Sequence, residues 1–587
     1  MNDEAGARGV RSGGGRPVAG RHAVGCASPP SAIQPTDNER TVGASRARRR
    51  SFGGAPLALS LLLAASCAKK ADNADPHPVR FDGTVPVEGA VAADHELASQ
   101  AGAEVLHAGG NAVDAAIAAA LASGVVQPSG SGLGGGGFAL VVPPQGEAVV
   151  LDFREVAPAG VTMAAYAGGA SSTLGGTAVA VPTEGIGLAE LHRRFGRASL
   201  ATIAAPAVRL ADAGFPTGSH LADALAGAPD MNVLFLAGNR RPALAEALRA
   251  WASTDGEAFR TGWVAQDFVD TSAAHGGWLT MADLAGYRVE TRAPLRASLG
   301  ARTVLTMPPP SSGGVALLQL LGAVKPGVTS LHCEVEAAKH AMADRSAFGG
   351  DPAFAHVDVP ALLAPARIAA TAADCAEKTF PPEHYAVPLP PPDDHGTLHI
   401  SVMDAEGWAV ALTTTINTSF GSHLVAPKSG IVLNDEMDDF QTRPGRPNAF
   451  GLVQGEANNV QPGKRPLSSM TPTVVLGADG RPELAVGASG GPFIITATWQ
   501  AMENVLEKGM SAAEAVSAPR WHHQWMPDAA LVEAGFAGAD ELRGHGHDVR
   551  IVEKPFCSVQ VVTRQGGKFD AASDPRKGGK PAFSAGP

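Results

Sequence analysis

Apolar and polar residues alternate in two runs near residue 400. Leu398, Ile400 and Val402 alternate with His399 and Ser401, a turn follows at Asp404-Ala-Glu-Gly407, and a second run covers residues 409–416. Period-two alternation with strand-forming residues on both arms predicts a β-hairpin. Shorter runs predict strands at residues 89–93, 138–142, 148–151 and 473–476. Helical spacing predicts a helix over 94–106, with Asp94 as N-cap and Leu97, Ala101 and Val105 on one face. A second helix over 112–122 is apolar on nearly every side and should be buried. Residues 180–295 read mostly as helices, among them 183–195, 199–213 and 239–252. More helices are predicted from about Val315 and over 334–346, 359–373 and 493–506. There is no internal repeat.

Composition adds the class. With 45% apolar and 18% charged residues in 587, the chain can build a large globular core. A formal net charge of −11 offers no basic footprint for nucleic acid. The five cysteines (Cys26, Cys67, Cys333, Cys375, Cys557) contain no CxxC pair and suggest neither a zinc site nor a disulfide framework. Residues 1–45 read as a disordered leader, or as a mis-assigned start with the true one near Val42. Residues 46–67 then combine Arg46-Ala-Arg-Arg-Arg50, an apolar stretch and Ser66-Cys67, the build of a secretory signal. Its ending, Leu63-Ala-Ala-Ser-Cys67, resembles a bacterial lipobox. That implies lipidation of Cys67 and membrane attachment through an N-terminal lipid. The expectation is an exported protein, periplasmic or in the cell envelope, with residues 68–83 as a tether.

Thr397 follows Gly396 at the head of the hairpin, directly after a Pro-rich acidic linker over 380–394. It reads either as an ordinary strand start or as a future N-terminus, released when the Gly396–Thr397 bond is cut. In the second case its amine serves as base for its own hydroxyl. Arg154, at a strand end beside two acids, is a local ion pair or a clamp for a substrate carboxylate. Gly130, Gly132 and Gly135 fit GxGxxG, but a helix precedes them and a strand follows, so close backbone packing is the better reading. The acids of 434–439 suggest a solvated turn or a calcium loop, without EF-hand spacing. Residues 441–455 read as a lid. Gly490-Gly491 before a helix reads as an oxyanion site or a plain turn. His522-His523 and His545-Gly-His547 lack partners at metal-ligand spacing and are taken as structural.

Seven motifs in one order carry a resemblance: Gly109-Gly-Asn-Ala-Val-Asp-Ala-Ala116, Gly132-Leu-Gly-Gly-Gly-Gly-Phe138, Asp152-Phe-Arg-Glu155, Thr397 with His399, Ser401 and Val402, Asn434-x-x-Met-Asp-Asp-Phe440, Lys464-Arg-Pro-Leu-Ser-Ser-Met470, and Gly490-Gly491. Together, over residues 85–576, the chain resembles the γ-glutamyltransferase (glutathione hydrolase) family of N-terminal-nucleophile hydrolases. The resemblance implies an α/β four-layer αββα sandwich built jointly by two autoprocessed subunits, a large one over 84–396 and a small catalytic one over 397–587. Thr397 would be the nucleophile, supported by Thr415, with Gly490 and Gly491 as oxyanion hole. Arg154, Ser468 and Ser469 would hold a substrate α-carboxylate, and Asn417, Glu436 and Asp439 its α-ammonium group. The signs agree with the chemistry of a zwitterionic head. Glutathione and other γ-glutamyl compounds are the implied donors, water and amino-acid or peptide amines the acceptors, and no metal or organic cofactor is implied. Leu398 and Pro492-Phe493 depart from the family pattern. Phe450 stands where an aromatic gate would sit in the lid. The alternatives are a same-fold acylase for a cephalosporin or poly-γ-glutamate, and an unprocessed binding pseudoenzyme.

Overall fold

The computed structural model describes residues 87–386, 396–452, 454–553 and 557–584. The leader, the signal segment with Cys67, the tether and most of the Pro-rich linker lie outside the described residues. In chain order the strands of the two main sheets are β1 (Gly89–Ala93), β2 (Gly136–Val142), β3 (Val149–Phe153), β4 (Glu290–Arg292), β5 (Leu295–Leu299), β6 (Arg302–Thr306), β7 (Leu398–Asp404), β8 (Ala409–Thr415), β9 (Thr473–Leu476), β10 (Pro482–Ser489), β11 (Ser558–Gln565), β12 (Lys568–Ser573) and β13 (Ala582–Phe583). One sheet runs β13-β1-β7-β8-β2-β3-β4 and the other β12-β11-β10-β9-β6-β5.

Side-chain alternation divides each central strand between two cores. Val91, Ile400, Val402, Val410 and Leu412 pack under an outer helical layer. Their neighbours Ala90, Ala92, Met403, Ala409 and Ala411 face the second sheet, in one core with Leu305, Val474, Leu484 and Val559. The outer helices on the first sheet include α1 (Glu96–His107), α2 (Ala112–Val126), α3 (Glu184–Phe195) and α4 (Leu200–Ala213). Those on the second are α5 (Gly313–Ala323), α6 (Leu331–Phe348) and α7 (Phe493–Leu506). The result is a four-layer αββα sandwich. Every residue of α2 except Gly124 is buried, as its uniform apolarity requires, and Asn111 and Asp114 close its first turn with a capping box.

Three expectations are corrected. Asp94 is not the N-cap of α1: His95 is, its Nδ1 accepting the Leu97 N–H at 3.1 Å. Asp94 instead accepts the His399 N–H at 2.7 Å and the Ser489 hydroxyl at 3.1 Å, so a tertiary demand displaces the local one. The helix predicted over 359–373 is broken into Val359–Leu362 and Pro365–Ala373, because Pro365 brings no N–H and pushes Ala364 out of helical conformation. Cys333 and Cys375 form a disulfide across 42 residues of sequence, with Cα atoms 5.5 Å apart. That pairing depends on a segment folding back against α6, which spacing alone does not reveal. Among the described residues no helix is long and apolar enough to cross a membrane.

Candidate active site

The hairpin is where the site begins. Leu398 pairs with Thr414 in the β7–β8 register, so Thr397 stands opposite Thr415, and their Oγ1 atoms are 3.1 Å apart. Thr415 Oγ1 also accepts the Asn417 N–H at 2.9 Å, which fixes its lone-pair direction. The backbone at the expected cut is strained: φ is +91° at Gly396 and +109° at Thr397, a β-branched residue. Such a conformation costs on the order of 1–3 kcal/mol and persists only where its surroundings over-determine it. Here the Thr397 N–H donates to the Gly130 carbonyl at 3.0 Å, and the Thr397 carbonyl accepts from Lys577 Nζ at 3.0 Å. The glycine run over 130–137 is a packing device, as expected. A Cβ on Gly135 would come within 1.9 Å of the Thr415 carbonyl oxygen.

Arg154 emerges from the end of β3 and is buried. Its guanidinium is paired with both Glu436 and Asp439 and lies 3.7 Å from Glu155, while also donating to the Leu467 carbonyl at 3.2 Å. Burial alone would lower its pKa, but Glu436, Asp439 and Glu155 hold it above the usual value, so it stays charged. Burial raises the Glu436 and Asp439 carboxyls and Arg154 partly offsets this. The acidic cluster is therefore no solvated turn. Glu436–Asp439 is a buried 3-10 turn. Asp438 accepts the Ala449 N–H at 2.6 Å and Asn448 reaches Asp439 at 3.4 Å, so the cluster also anchors the loop that carries Asn448 and Ala449.

These groups surround one pocket. Thr397, Thr415, Arg154, Asn417, Glu436, Asp439, Ser468, Ser469 and Gly491 all line it, with Phe450 and Leu452 from the loop after the acidic cluster. Gly490 precedes Gly491 at the entry to α7, with φ of +132° and +52°. Pro492, one of the departures, lines the same wall and caps α7. In the empty pocket the Arg154 cation already faces the acids. An α-amino acid head can replace that internal pair by two new ones, its carboxylate on Arg154 and its ammonium on the acids. A ligand with one charge would leave a buried partner uncompensated, which is strongly unfavourable.

One charged pocket residue escaped the sequence reading. Arg345, from α6, lines the cavity and donates from Nε to the Ser469 hydroxyl at 3.2 Å. Its Nη1 is buried and makes no hydrogen bond among the described residues. Burial lowers its pKa to about 10, with Asp439 opposing. The histidines divide. His522 is structural as expected: it bonds Thr496 at 2.7 Å, and burial pushes it to about 3. His547 does have a partner that spacing hides, since its Nε2 lies 2.7 Å from His332 Nδ1. His399 bonds Thr413 at 2.8 Å between the sheets, pushed by burial to about 3, so it is a neutral packing element.

The Gamma-glutamyltranspeptidase family profile matches residues 98–584. The glutathione hydrolase proenzyme of Escherichia coli (strain K12) is 35% identical over 564 residues, covering 89% of this chain and 97% of that protein. The glutathione hydrolase proenzyme of Pseudomonas sp. (strain A14) is 38% identical over 480 residues, covering 76% and 83%. Among solved structures, a cephalosporin acylase from Bacillus halodurans superposes with a TM-score of 0.74 at 28% identity, covering 86% of this chain and 98% of the other. The four-layer sandwich is thus of the N-terminal-nucleophile hydrolase type. With the profile matched over most of its length and full-length relatives above one-third identity, the chain belongs to the gamma-glutamyltranspeptidase family.

Proposed function

We propose that the precursor cuts itself between Gly396 and Thr397 and then transfers γ-glutamyl groups through the Thr397 hydroxyl. The observation that carries this reading is the convergence on one cavity of Thr397, the Arg154 cation and the Glu436–Asp439 acids. Cutting frees the α-amine of Thr397 to accept the hydroxyl proton; α-amines in general titrate at about pH 8, close enough to neutrality for that role. Oγ1 attacks the γ-carbonyl carbon, and the oxyanion meets the N–H groups of Gly490 and Gly491. The amide C–N bond breaks, and the leaving amine takes the proton. Water or an amino-acid or peptide amine then attacks the acyl-threonine and restores the hydroxyl. Arg154, Ser468 and Ser469 hold the substrate carboxylate, while Asn417, Glu436 and Asp439 hold the ammonium group. Glutathione is the donor that the names of the relatives support.

The likeness to a cephalosporin acylase supports a second reading, hydrolysis of a glutaryl side chain. A glutaryl group has no α-ammonium, however, and would leave Glu436 and Asp439 without the cation they are placed to receive. Export is supported by the basic and apolar leader at 46–67 and by the Cys333–Cys375 disulfide, a bond of oxidising compartments. The test is release of p-nitroaniline from γ-glutamyl-p-nitroanilide. Wild type should run as two fragments and turn over, whereas Thr397→Ala should stay a single band and be inactive. Cleavage of that variant, or an inert but fully cut wild type, would overturn the assignment.

A further inference from the structure

Away from the catalytic pocket, three ligand atoms converge beside α6. His340 Nε2 lies 2.9 Å from Asp374 Oδ2, and His384 Nε2 lies 2.6 Å from the same oxygen. All three lie within 4.8 Å of one another. The grouping is held from several sides. Cys333 precedes His340 by seven residues, two helical turns, so both lie on one stripe of α6. Cys375 directly follows Asp374, so the disulfide draws that carboxylate to the His340 side of the helix. His384 ends a short 3-10 turn, Pro382–His384, and its ring stacks on Phe380 with centroids 4.0 Å apart. Tyr385 packs edge-on against His340 at 4.8 Å. Asp344, one turn along α6, is already engaged by Arg367 and Gln319.

We infer that His340, Asp374 and His384 form a binding site for one divalent transition cation of the zinc class. Two imidazole nitrogens and one carboxylate oxygen suit Zn²⁺, Ni²⁺ or Cu²⁺, whereas Ca²⁺ and Mg²⁺ prefer oxygen ligands. Metal–ligand bonds of about 2.0–2.1 Å place tetrahedral ligands roughly 3.3 Å apart, so Asp374 Oδ2 moves about half an ångström away from each imidazole nitrogen to admit the ion. The cation takes the Nε2 lone pairs, with the ring protons on Nδ1. Side-chain exposures of 24%, 30% and 33% give the ion an entry path and leave a position for water. The buried trio His332, Glu336 and His547 suits a cation less well. Glu336 there already accepts from Thr379 at 2.7 Å and faces the Lys339 ammonium at 3.4 Å. A cation at His340 would pin the segment 374–384 to α6, shortly before the bond at Gly396.

The test is calorimetric titration of the chelator-treated, self-cleaved protein with ZnCl2. Wild type should bind one equivalent, at least tenfold more weakly in His340→Gln and in His384→Gln. Unchanged p-nitroaniline release by both variants shows that they are folded, and His384, on a surface turn, is the milder change. No saturable equivalent in wild type, or one that survives both substitutions, overturns the site. An equivalent lost only in His547→Gln moves the ion to the buried trio and overturns it equally.

Discussion

Arg345 alters how the carboxylate end of the pocket is understood. Because its Nε–H is donated to Ser469 Oγ, that hydroxyl is left to point its proton toward the cavity, where the resemblance places a substrate carboxylate. The unbonded Nη1 adds a second cationic donor near Arg154. Arg345→Gln is therefore expected to raise KM for γ-glutamyl-p-nitroanilide by about 10- to 100-fold, the loss of one charged hydrogen bond, with a smaller change in kcat. Steady-state kinetics on the self-cleaved variant checks the split. Arg154 and the acids of 434–439 were legible through the family resemblance, since their local pattern alone left an ion pair, a solvated turn or a calcium loop open. Arg345 was not, because it lies inside a helix predicted only by pattern, among Ala341, Asp344 and Phe348. Nothing local distinguishes an arginine aimed into a pocket from one aimed at water.

At the level of the element, the hairpin was the most legible part of the chain. Alternation gave both arms, and pairing then dictates that the residue before β7 faces the last residue of β8. What alternation cannot supply is the backbone at the cut. A Cβ on Gly396 would lie 1.8 Å from the Asn417 carbonyl oxygen, at a φ of +91° that L side chains rarely adopt. Gly396→Ala is expected to slow self-cleavage at least tenfold, since a displacement of about 1 Å at reacting atoms can cost roughly 100-fold. A time course of the two fragments on a denaturing gel measures it. Cleavage at the wild-type rate would show that the close approach of Gly396 to Asn417 has no part in the reaction. Two of the misreadings share a physical origin, a tertiary contact that local pattern does not show, whereas the break at Pro365 is local. Asp94 is a good local cap, but the buried His399 amide and Ser489 hydroxyl claim its carboxylate. The disulfide likewise unites residues that only the returning chain brings together.

For the whole molecule, the layering buries carboxyl groups that respond to pH. Glu184, at the start of α3, accepts the Ser131 hydroxyl at 3.2 Å while its Oε1 has no hydrogen-bond partner among the described residues. Burial raises its pKa from 4.5 to about 8. A carboxyl raised on folding favours the folded state fully below its unfolded pKa, and that contribution is lost as pH rises through the folded value. Stability should therefore fall between about pH 4.5 and 8, and Glu184→Gln should remove part of the fall. Thermal melts at pH 6 and pH 9 test this: the drop in Tm should be smaller in the variant, and an equal drop would exclude Glu184 as a source.

The strand order has one more implication. β7 and β8, which follow Thr397, lie between β1 and β2, which precede it, and β5 and β6 close the edge of a sheet otherwise made from the later part. A cut at residue 396 therefore creates two chains that interlock rather than dock. Neither piece has a complete sheet or a closed core when alone, so leaving the partner means dismantling both sheets. The severed peptide bond becomes, in effect, a change of chemistry at one end group: an amine appears where an amide stood, while the rest of the molecule keeps its connectivity through hydrogen-bonded strands.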